Sequence, residues 1–571
     1  MPNFDSLKLN PYFLSEKQIQ RVKDTIAGMT QEEKIGQLFC FIYYGGSEDE
    51  LKNVTDKYKA GGIMGRPMPA DGVLHMVSEL QKNSKIPMLI AANFEAGGNG
   101  LVAEGTNVGP CIQVGATGDP EMAGKQGYVC GREGAAVGAN WSFAPVIDIL
   151  KNYQNPIVPT RAFGQDENLV ADCGAAYTKA CQEQGVSVSI KHFPGDGIDG
   201  RDQHLVTSIN SLSCEEWDNS FGKAYQASID AGALTVMAGH IAMPEYSRKL
   251  RPGIRDEDIM PATLAPELIN DLLRGQLGFN GMVVTDASTM AGMCIPMPRE
   301  QLVPFTIASG CDMFLFTRNS DEDYGYMKKG VENGVISPER LDEAVMRILG
   351  VKQALKLIEK RENGTLVPSK EDAMKVVGCV EHKEIEVDCA DRSVTLVKNL
   401  DNVLPINPTD HKRILLYPIT VGAGALNQPV DVAGIMKEAL EKEGFEVDVF
   451  KPMGKGLEGF TVSASSVIDN YDLLLYACNL TTKSNQTTVR IEWEQPMGAN
   501  CPIYITSLPT IFISFANPFH LQDVPRIRTF INAYSFKDVT IKAVIDKLLG
   551  RSQFKGKDPV DSFCGMWDTR L

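Results

Sequence analysis

The first 360 residues alternate short apolar runs with segments of helical periodicity. Eight runs stand out: IGQLFCFIYY (35–44), GGIMG (61–65), PMLIAANFE (87–95), NWSFAPVIDI (140–149), VSVSIKHF (186–193), ALTVMAGHI (233–241), GMVVTDAS (281–288) and CDMFLFT (311–317). Between most of them, apolar residues recur at i, i+3 and i+4, as in EMAGKQGYVCGREGAAVG and PELINDLLRGQLG. Short apolar runs bounded by turn residues read as buried strands, and their alternation with helices predicts a parallel sheet. Eight such units in sequence predict a (β/α)8 barrel, with an open doubly wound α/β sheet as the alternative.

PERLDEAVMRILGVKQALKLIEK (338–360) reads as a closing helix, and RENGTLVPSKED (361–372) has the glycine, proline and charge of a linker. This divides the chain into a barrel domain, 1–362, and a smaller α/β domain, 363–571. In the second, HKEIEVDCADRSVTLVKN reads as a helix running into a strand. The strands RILLYPI, EVDVF, YDLLLYACNL, PTIFISFANP and RIRTFINAYS follow, with the helices VDVAGIMKEALEKEG and DVTIKAVIDKLL. That order predicts a doubly wound sheet.

Composition narrows the function classes. A chain of 571 residues exceeds one core, so two domains fit it. The net charge of −16 argues against nucleic acid and anionic membranes as partners. Thirteen cysteines without CxxC pairs suggest reduced thiols rather than a disulfide framework, and hence a cytoplasmic setting. MPNFDSLKLNPYFL has no basic stretch leading into an apolar run, and no run approaches the length of a spanning helix. No motif calls for a cofactor, and no zinc-ligand spacing calls for a metal.

The candidate chemistry lies where the runs end. In a (β/α)8 barrel the active site forms at the C-terminal ends of the strands. The third run ends in Asn93 and Glu95, the fourth at Asp148 ahead of RAFG (161–164), the sixth in His240 and the seventh in Asp286. The fifth ends in Lys191 and His192 and feeds KHFPGDGIDGRDQH (191–204), which holds Asp196, Asp199, Asp202 and His204. A polar, glycine-rich loop by itself is usually a solvated connection. Three of the chain's seven histidines, converging with carboxylates on one predicted face, point instead to a site. Asp286 reads either as a helix cap or as a nucleophile or metal ligand on a rigid strand end. Asp202 and His204 are two apart, so in extended backbone they share a face. The aspartate can then fix the imidazole tautomer, giving a general acid/base pair that the loop glycines allow to swing. Arg201, beside Asp202, would lower its pKa.

KHFPG followed by Asp-x-His resembles glycoside hydrolase family 3, in particular its β-N-acetylglucosaminidase branch, where the loop reads KHFPGHG and then Asp-Ser-His. The spacing from Lys191 to His204 matches that branch. NPIVPTRAFGQDE, WSFAPVIDI, AGHIAMPE, PATLAPELINDLLRGQLGFNGMVVTD and GCDMFLFT extend the likeness, and ADRSVTLVKNLDNVLPI and SFANPFHL carry it into the second domain. The resemblance implies a retaining two-step β-glycosidase without cofactor: Asp286 as nucleophile, His204 as acid/base, and Asp202 orienting it. Arg161, Lys191 and His192 match the branch's sugar-binding residues. Asn93, Glu95 and His240 are added as candidate sugar contacts from their strand ends. The sequence departs from the branch at NFEAGGNG, where Asn93 replaces an aspartate and no arginine follows, and at Asp196 and Gln203, which replace a histidine and a serine. The implied partner is a small oligosaccharide or amino-sugar glycoside carrying N-acetylglucosamine, another hexosamine or glucose.

Other readings stay open on the sequence alone. The same scaffold with phosphate as acceptor would be a β-glycoside phosphorylase, since a neutral imidazole does not repel an anion. A metal-dependent barrel hydrolase would use His192, His204, His240 and Asp286 as ligands. A non-catalytic sugar-binding protein would use none of them for chemistry. Glu492 and Glu494 in RIEWEQP (490–496) rival His204 as the acid. The second domain could shape the cleft, stabilise the barrel or mediate a homodimer.

Overall fold

Each of the eight apolar runs contains one strand: β1 (Phe39–Tyr43), β2 (Gly62–Gly65), β3 (Leu89–Ala92), β4 (Trp141–Ser142), β5 (Ser187–Phe193), β6 (Thr235–Ala238), β7 (Met282–Thr285) and β8 (Phe314–Leu315). The computed structural model describes residues 2–420, 430–451, 463–493, 495 and 498–571. Nearly every strand residue is buried, as strands covered on both faces require. The eight form one parallel sheet in the order β8-β1-β2-β3-β4-β5-β6-β7. A parallel bridge between Val284 and Met313, with the Thr285 amide donating to the Met313 carbonyl at 3.1 Å, joins its two ends into the predicted barrel. β4 is short for a physical reason. Pro145 has no N–H to continue the ladder, so the chain runs on beside β5 through the Ile147 amide to the Lys191 carbonyl at 2.9 Å. No helix among the described residues is long and apolar enough to cross a membrane.

The closing helix is two helices, Pro338–Ala354 and Leu357–Glu362, because Lys356 takes a left-handed conformation with φ of 56°. The barrel unit runs on to Ile385, so residues 363–385 belong with it and not with the second domain. A buried carboxylate accounts for this. Glu133 accepts from His382 Nδ1 at 2.7 Å, from the Gly378 amide at 2.9 Å and from the Thr106 amide at 2.8 Å. A charge so enclosed holds its donors fixed to the barrel.

The second unit comprises 386–571 together with 109–119 and 153–166. Its strands are β9 (Thr395–Asn399), β10 (Arg413–Thr420), β11 (Glu446–Val449), β12 (Leu473–Asn479), β13 (Thr510–Ser514) and β14 (Thr529–Asn532). They lie in the order β9-β14-β13-β12-β10-β11, with β9 antiparallel to β14 and the remaining pairs parallel. Ile414 and Leu416 enter one apolar cluster, and Leu415 and Tyr417 enter the other. Both faces are therefore covered, as a doubly wound sheet needs.

At the entry to β8, the buried Asp312 accepts from Arg274 and Arg340 at 2.7 Å, from Arg347 at 3.2 Å and from the Val283 amide at 2.9 Å. Burial pushes its pKa up, but the three guanidinium groups outweigh this and bring it down to about 2. Asp312→Ala strands three cations and should cost about 3–5 kcal/mol of stability by chemical denaturation of the full chain. The folded pKa lies below the ordinary 3.8, so the Asp312 contribution is complete above that value and lost as pH falls toward 2. Denaturation midpoints across that window should fall more steeply for the wild type than for the variant.

Candidate active site

β5 is buried along its whole length and ends in Lys191, His192 and Phe193. Charged groups can end such a strand only if the surroundings pair them. Lys191 Nζ lies 2.6 Å from Glu95 Oε1. Asp148, beyond β4, is fully buried and accepts three hydrogen bonds: from His192 Nδ1 at 2.7 Å, from the His192 amide at 3.0 Å and from the Asp196 amide at 2.8 Å. Burial disfavours the Asp148 carboxylate, yet His192 and these donors hold its pKa below the usual value. Since the carboxylate can only accept, His192 donates from Nδ1 and turns Nε2 toward Asp286, 4.0 Å from Oδ2. Asp148 is the member of this set that the strand-end reading did not assign a role. Its signal was present, as the first charge closing the apolar run WSFAPVIDI.

Asp286 follows β7. Its amide donates to the Ala238 carbonyl at 2.7 Å, and its Oδ1 accepts from the Ala287 amide at 2.7 Å. Burial raises its pKa; the fields of His192, His240 and His204 outweigh it and lower the pKa to about 2. The carboxylate is thus ionised, with 14% of its side chain exposed and one oxygen engaged by the backbone. His240 is fully buried. Its Nε2 donates to the Ala287 carbonyl at 3.0 Å, and its Nδ1 pairs with Thr263 Oγ1 at 3.1 Å. Burial holds its pKa down. Neither ring nitrogen is left for a sugar, so His240 braces the peptide after Asp286 instead of lining the pocket as expected.

Asp202 Oδ1 accepts from His204 Nδ1 at 2.7 Å and from the His204 amide at 2.8 Å. The pair forms, but through a turn and not through the extended backbone expected: the Leu205 amide donates to the Asp202 carbonyl at 2.9 Å, and His204 keeps 26% of its side chain exposed. Arg201 is not beside Asp202. It pairs with Asp199 at 2.7 Å, because Asp199 also accepts from the Ile209 amide at 2.9 Å and so faces the arginine's side of the loop. In this conformation the loop is tied to its neighbours through the backbone. The Ser208 amide donates to the His240 carbonyl at 3.2 Å, the Asn210 amide to the Ala242 carbonyl at 2.9 Å, and the Ala291 amide to the His204 carbonyl at 2.9 Å. Gly197 serves close approach: with φ of 107°, any Cβ there would lie 2.2 Å from the Ile149 carbonyl oxygen.

The barrel thus brings together Glu95, Asp148, Lys191, His192, Asp202, His204, His240 and Asp286, with Asn93 half-buried at the end of β3. Arg161 lies in the 153–166 segment, which belongs to the second unit. Glu492 lines a cavity of about 320 Å³ with Thr420, Thr481 and Arg490 in the second unit, and Glu494 lies outside the described residues. Three potential metal ligands, Cys379, Glu381 and His382, come within 4.8 Å of one another elsewhere in the barrel unit. There Arg132 already supplies a cation: it pairs with Glu381 at 2.5 Å and lies 3.5 Å from His382 Nε2.

Residues 30–351 match the glycosyl hydrolase family 3 N-terminal domain. A Cellulomonas fimi protein named beta-N-acetylglucosaminidase/beta-glucosidase is 48% identical over 563 residues, covering 98% of this chain and 99% of that one. Among solved structures, a beta-glucoside phosphorylase, BglX, superimposes with a TM-score of 0.93 at 42% identity, over 99% of this chain and 100% of that chain. The fold is shared with a family 3 beta-N-acetylglucosaminidase from Paenibacillus sp. str. FPU-7, at TM-score 0.78 and 24% identity, over 94% and 100% of the two chains.

The electrostatics carry a test. His192 is the largest of the influences that lower the Asp286 pKa, while burial raises it. In His192→Gln the carboxylate should therefore titrate at higher pH than in the wild type. The acidic limb of kcat/KM for a dinitrophenyl glycoside, which needs no acid to leave, should move up in pH. An unmoved limb would show that His192 does not govern this carboxylate.

Proposed function

The chain belongs to glycosyl hydrolase family 3, and from that premise we propose that it removes a terminal β-linked N-acetylhexosamine or glucose from small glycosides by a retaining, two-step route. The observation that carries this reading is an ionised, partly exposed carboxylate, Asp286, within the field of a partly exposed imidazole, His204, that is itself fixed by a carboxylate. Retaining glycosidases need that pair: one group ionised to attack, one able to hand over a proton.

In the first step Asp286 Oδ2 forms a bond to the anomeric carbon while the bond to the leaving oxygen breaks. His204, protonated on both nitrogens, passes its Nε2 proton to that oxygen and becomes neutral, still donating from Nδ1 to Asp202. In the second step the acceptor oxygen attacks the anomeric carbon, its proton goes to His204 Nε2, and the bond to Asp286 breaks. His240 fixes the Asp286–Ala287 peptide. Lys191, His192, Glu95, Asn93 and Arg161 are assigned to the sugar hydroxyls and the N-acetyl group. The glycone follows the Cellulomonas fimi relative, whose name carries both activities. The thirteen free thiols fit a reducing compartment.

A second reading of the acceptor is favoured by the beta-glucoside phosphorylase, similar along the whole chain. With an imidazole in the role of base, an incoming phosphate meets a neutral group there in place of a carboxylate. Product analysis decides between them. A sugar 1-phosphate formed with phosphate-dependent turnover gives phosphorolysis, and free sugar at an unchanged rate gives hydrolysis.

Asp286→Asn should lower kcat by about three orders of magnitude or more, as loss of a covalent nucleophile does. An activated 2-fluoro sugar should add one glycosyl mass to the peptide holding Asp286, and a label on any other residue would overturn the assignment. His204→Ala should lose activity on alkyl glycosides far more than on dinitrophenyl glycosides, whose leaving groups need little protonation. The same signature from Glu492→Gln or Glu494→Gln, with His204→Ala lacking it, would move the acid to the second unit.

A further inference from the structure

We propose that Gln203 is the positioning residue of the acid/base loop, and that with Asp196 it holds His204 in its working place instead of letting the loop carry it there. The inference rests on His204 being the acid/base group. Gln203 stands between the two members of the Asp202–His204 pair, yet its own side chain is buried, with 1% of the residue exposed. Its amide is used at both ends. Nε2 donates to Asp196 Oδ2 at 3.3 Å, and Oε1 accepts from the His240 amide at 2.9 Å.

Asp196 is also buried and fixed, its Oδ1 accepting from the Gly197 amide at 2.6 Å. Its own amide donates to Asp148, the carboxylate that orients His192. On the other side, His240 donates from Nε2 to the Ala287 carbonyl, beside Asp286. Gln203 therefore ties three things together: the loop that carries His204, the Asp148–His192 pair, and the peptide that carries Asp286. The backbone closes around it as well. A Cβ on Gly292, in the loop after β7, would come within 2.4 Å of the Gln203 carbonyl oxygen, so the two loops meet without a side chain between them.

The two positions where the loop departs from KHFPGHG and Asp-Ser-His are these two residues, and they bond to each other. A serine is too short to span from Asp196 to the His240 amide, and a carboxylate at 196 needs a donor that glutamine supplies. The exchange is thus one device: a buried amide between a carboxylate and a backbone N–H, each with its partner.

The test uses charge and donor arithmetic. Gln203→Glu sets two carboxylates against each other and removes the donor. Adding Asp196→Asn restores the pairing in reverse, since the asparagine amide can donate to the glutamate while its oxygen still accepts from Gly197. Each variant is assayed for kcat/KM, which reports the first step, on an alkyl glycoside and on a dinitrophenyl glycoside. Gln203→Glu and the near-isosteric Gln203→Leu should lose more than about tenfold on the alkyl glycoside and stay within about threefold on the activated one, because only the first needs a placed acid. The double variant should recover most of the loss on the alkyl glycoside. Equal losses on both substrates, or a double variant no better than Gln203→Glu, would overturn the proposal. His204→Ala in the same panel separates it from the reading beneath it. If His204→Ala shows no leaving-group dependence, the acid/base assignment itself has failed; if it does and the Gln203 variants do not, only the positioning role has.

Discussion

A carboxylate kept ionised at the end of a buried strand is the constraint around which the barrel mouth is arranged. Burial acts against the Asp286 charge, and three imidazoles from β5, β6 and the loop after β5 oppose burial strongly enough to bring the pKa to about 2. Those imidazoles need support of their own. Asp148 supports His192, Asp202 supports His204, and Thr263 with the Ala287 carbonyl supports His240. Each buried polar group is thus paired with another, which is the condition for keeping such a network in a low-dielectric interior. Asp286 has one oxygen engaged by the Ala287 amide, while the other lies 4.0 Å from His192 Nε2.

The same network reaches into the loop that carries His204. Glycines at 195, 197 and 200 make KHFPGDGIDG look like a hinge in sequence. In the fold Gly195 and Gly197 serve close packing, and hydrogen bonds from 203 to 210 fasten the loop to residues beyond β6 and β7. In this conformation His204 is already held against Asp202. Preorganisation of this kind lowers the reorganisation that chemistry would otherwise require.

The two ends of the barrel divide the work. At the strand entries, a fully buried Asp312 gathers three partly buried arginines and a backbone amide, and all four donors are spent on holding the structure. At the strand exits, charge is concentrated as well, but around an opening. The contrast follows the general rule for this architecture, in which one rim stabilises and the other carries chemistry.

Periodicity along the chain was sufficient for the eight barrel strands, for the order of strands and helices in the second unit, and for the polar residues at the strand exits. These are local properties: side chains two apart share a face in a strand, and side chains three or four apart share one in a helix. The Asp202–His204 pair was legible from its short spacing, although a turn and not extended backbone brings the two side chains together. Pairings set by closure of the barrel were not. Asp148 meets His192 across 44 positions, and Glu133 draws His382 and residues 363–385 into the barrel across 249. Arg201 turns to Asp199 and not to Asp202, although each is two positions away or fewer, because a contact with Ile209 fixes where Asp199 points. His240 sits at a strand end like the sugar-facing candidates, yet the packing of β6 beneath the loop after β7 buries it. The antiparallel course of β9 likewise depends on the strand beside it. Sequence pattern determined which residues reach the rim, and only the tertiary structure decided which of them turn to one another and which are left facing a ligand, because a buried charge takes the partner that the folded chain brings within reach.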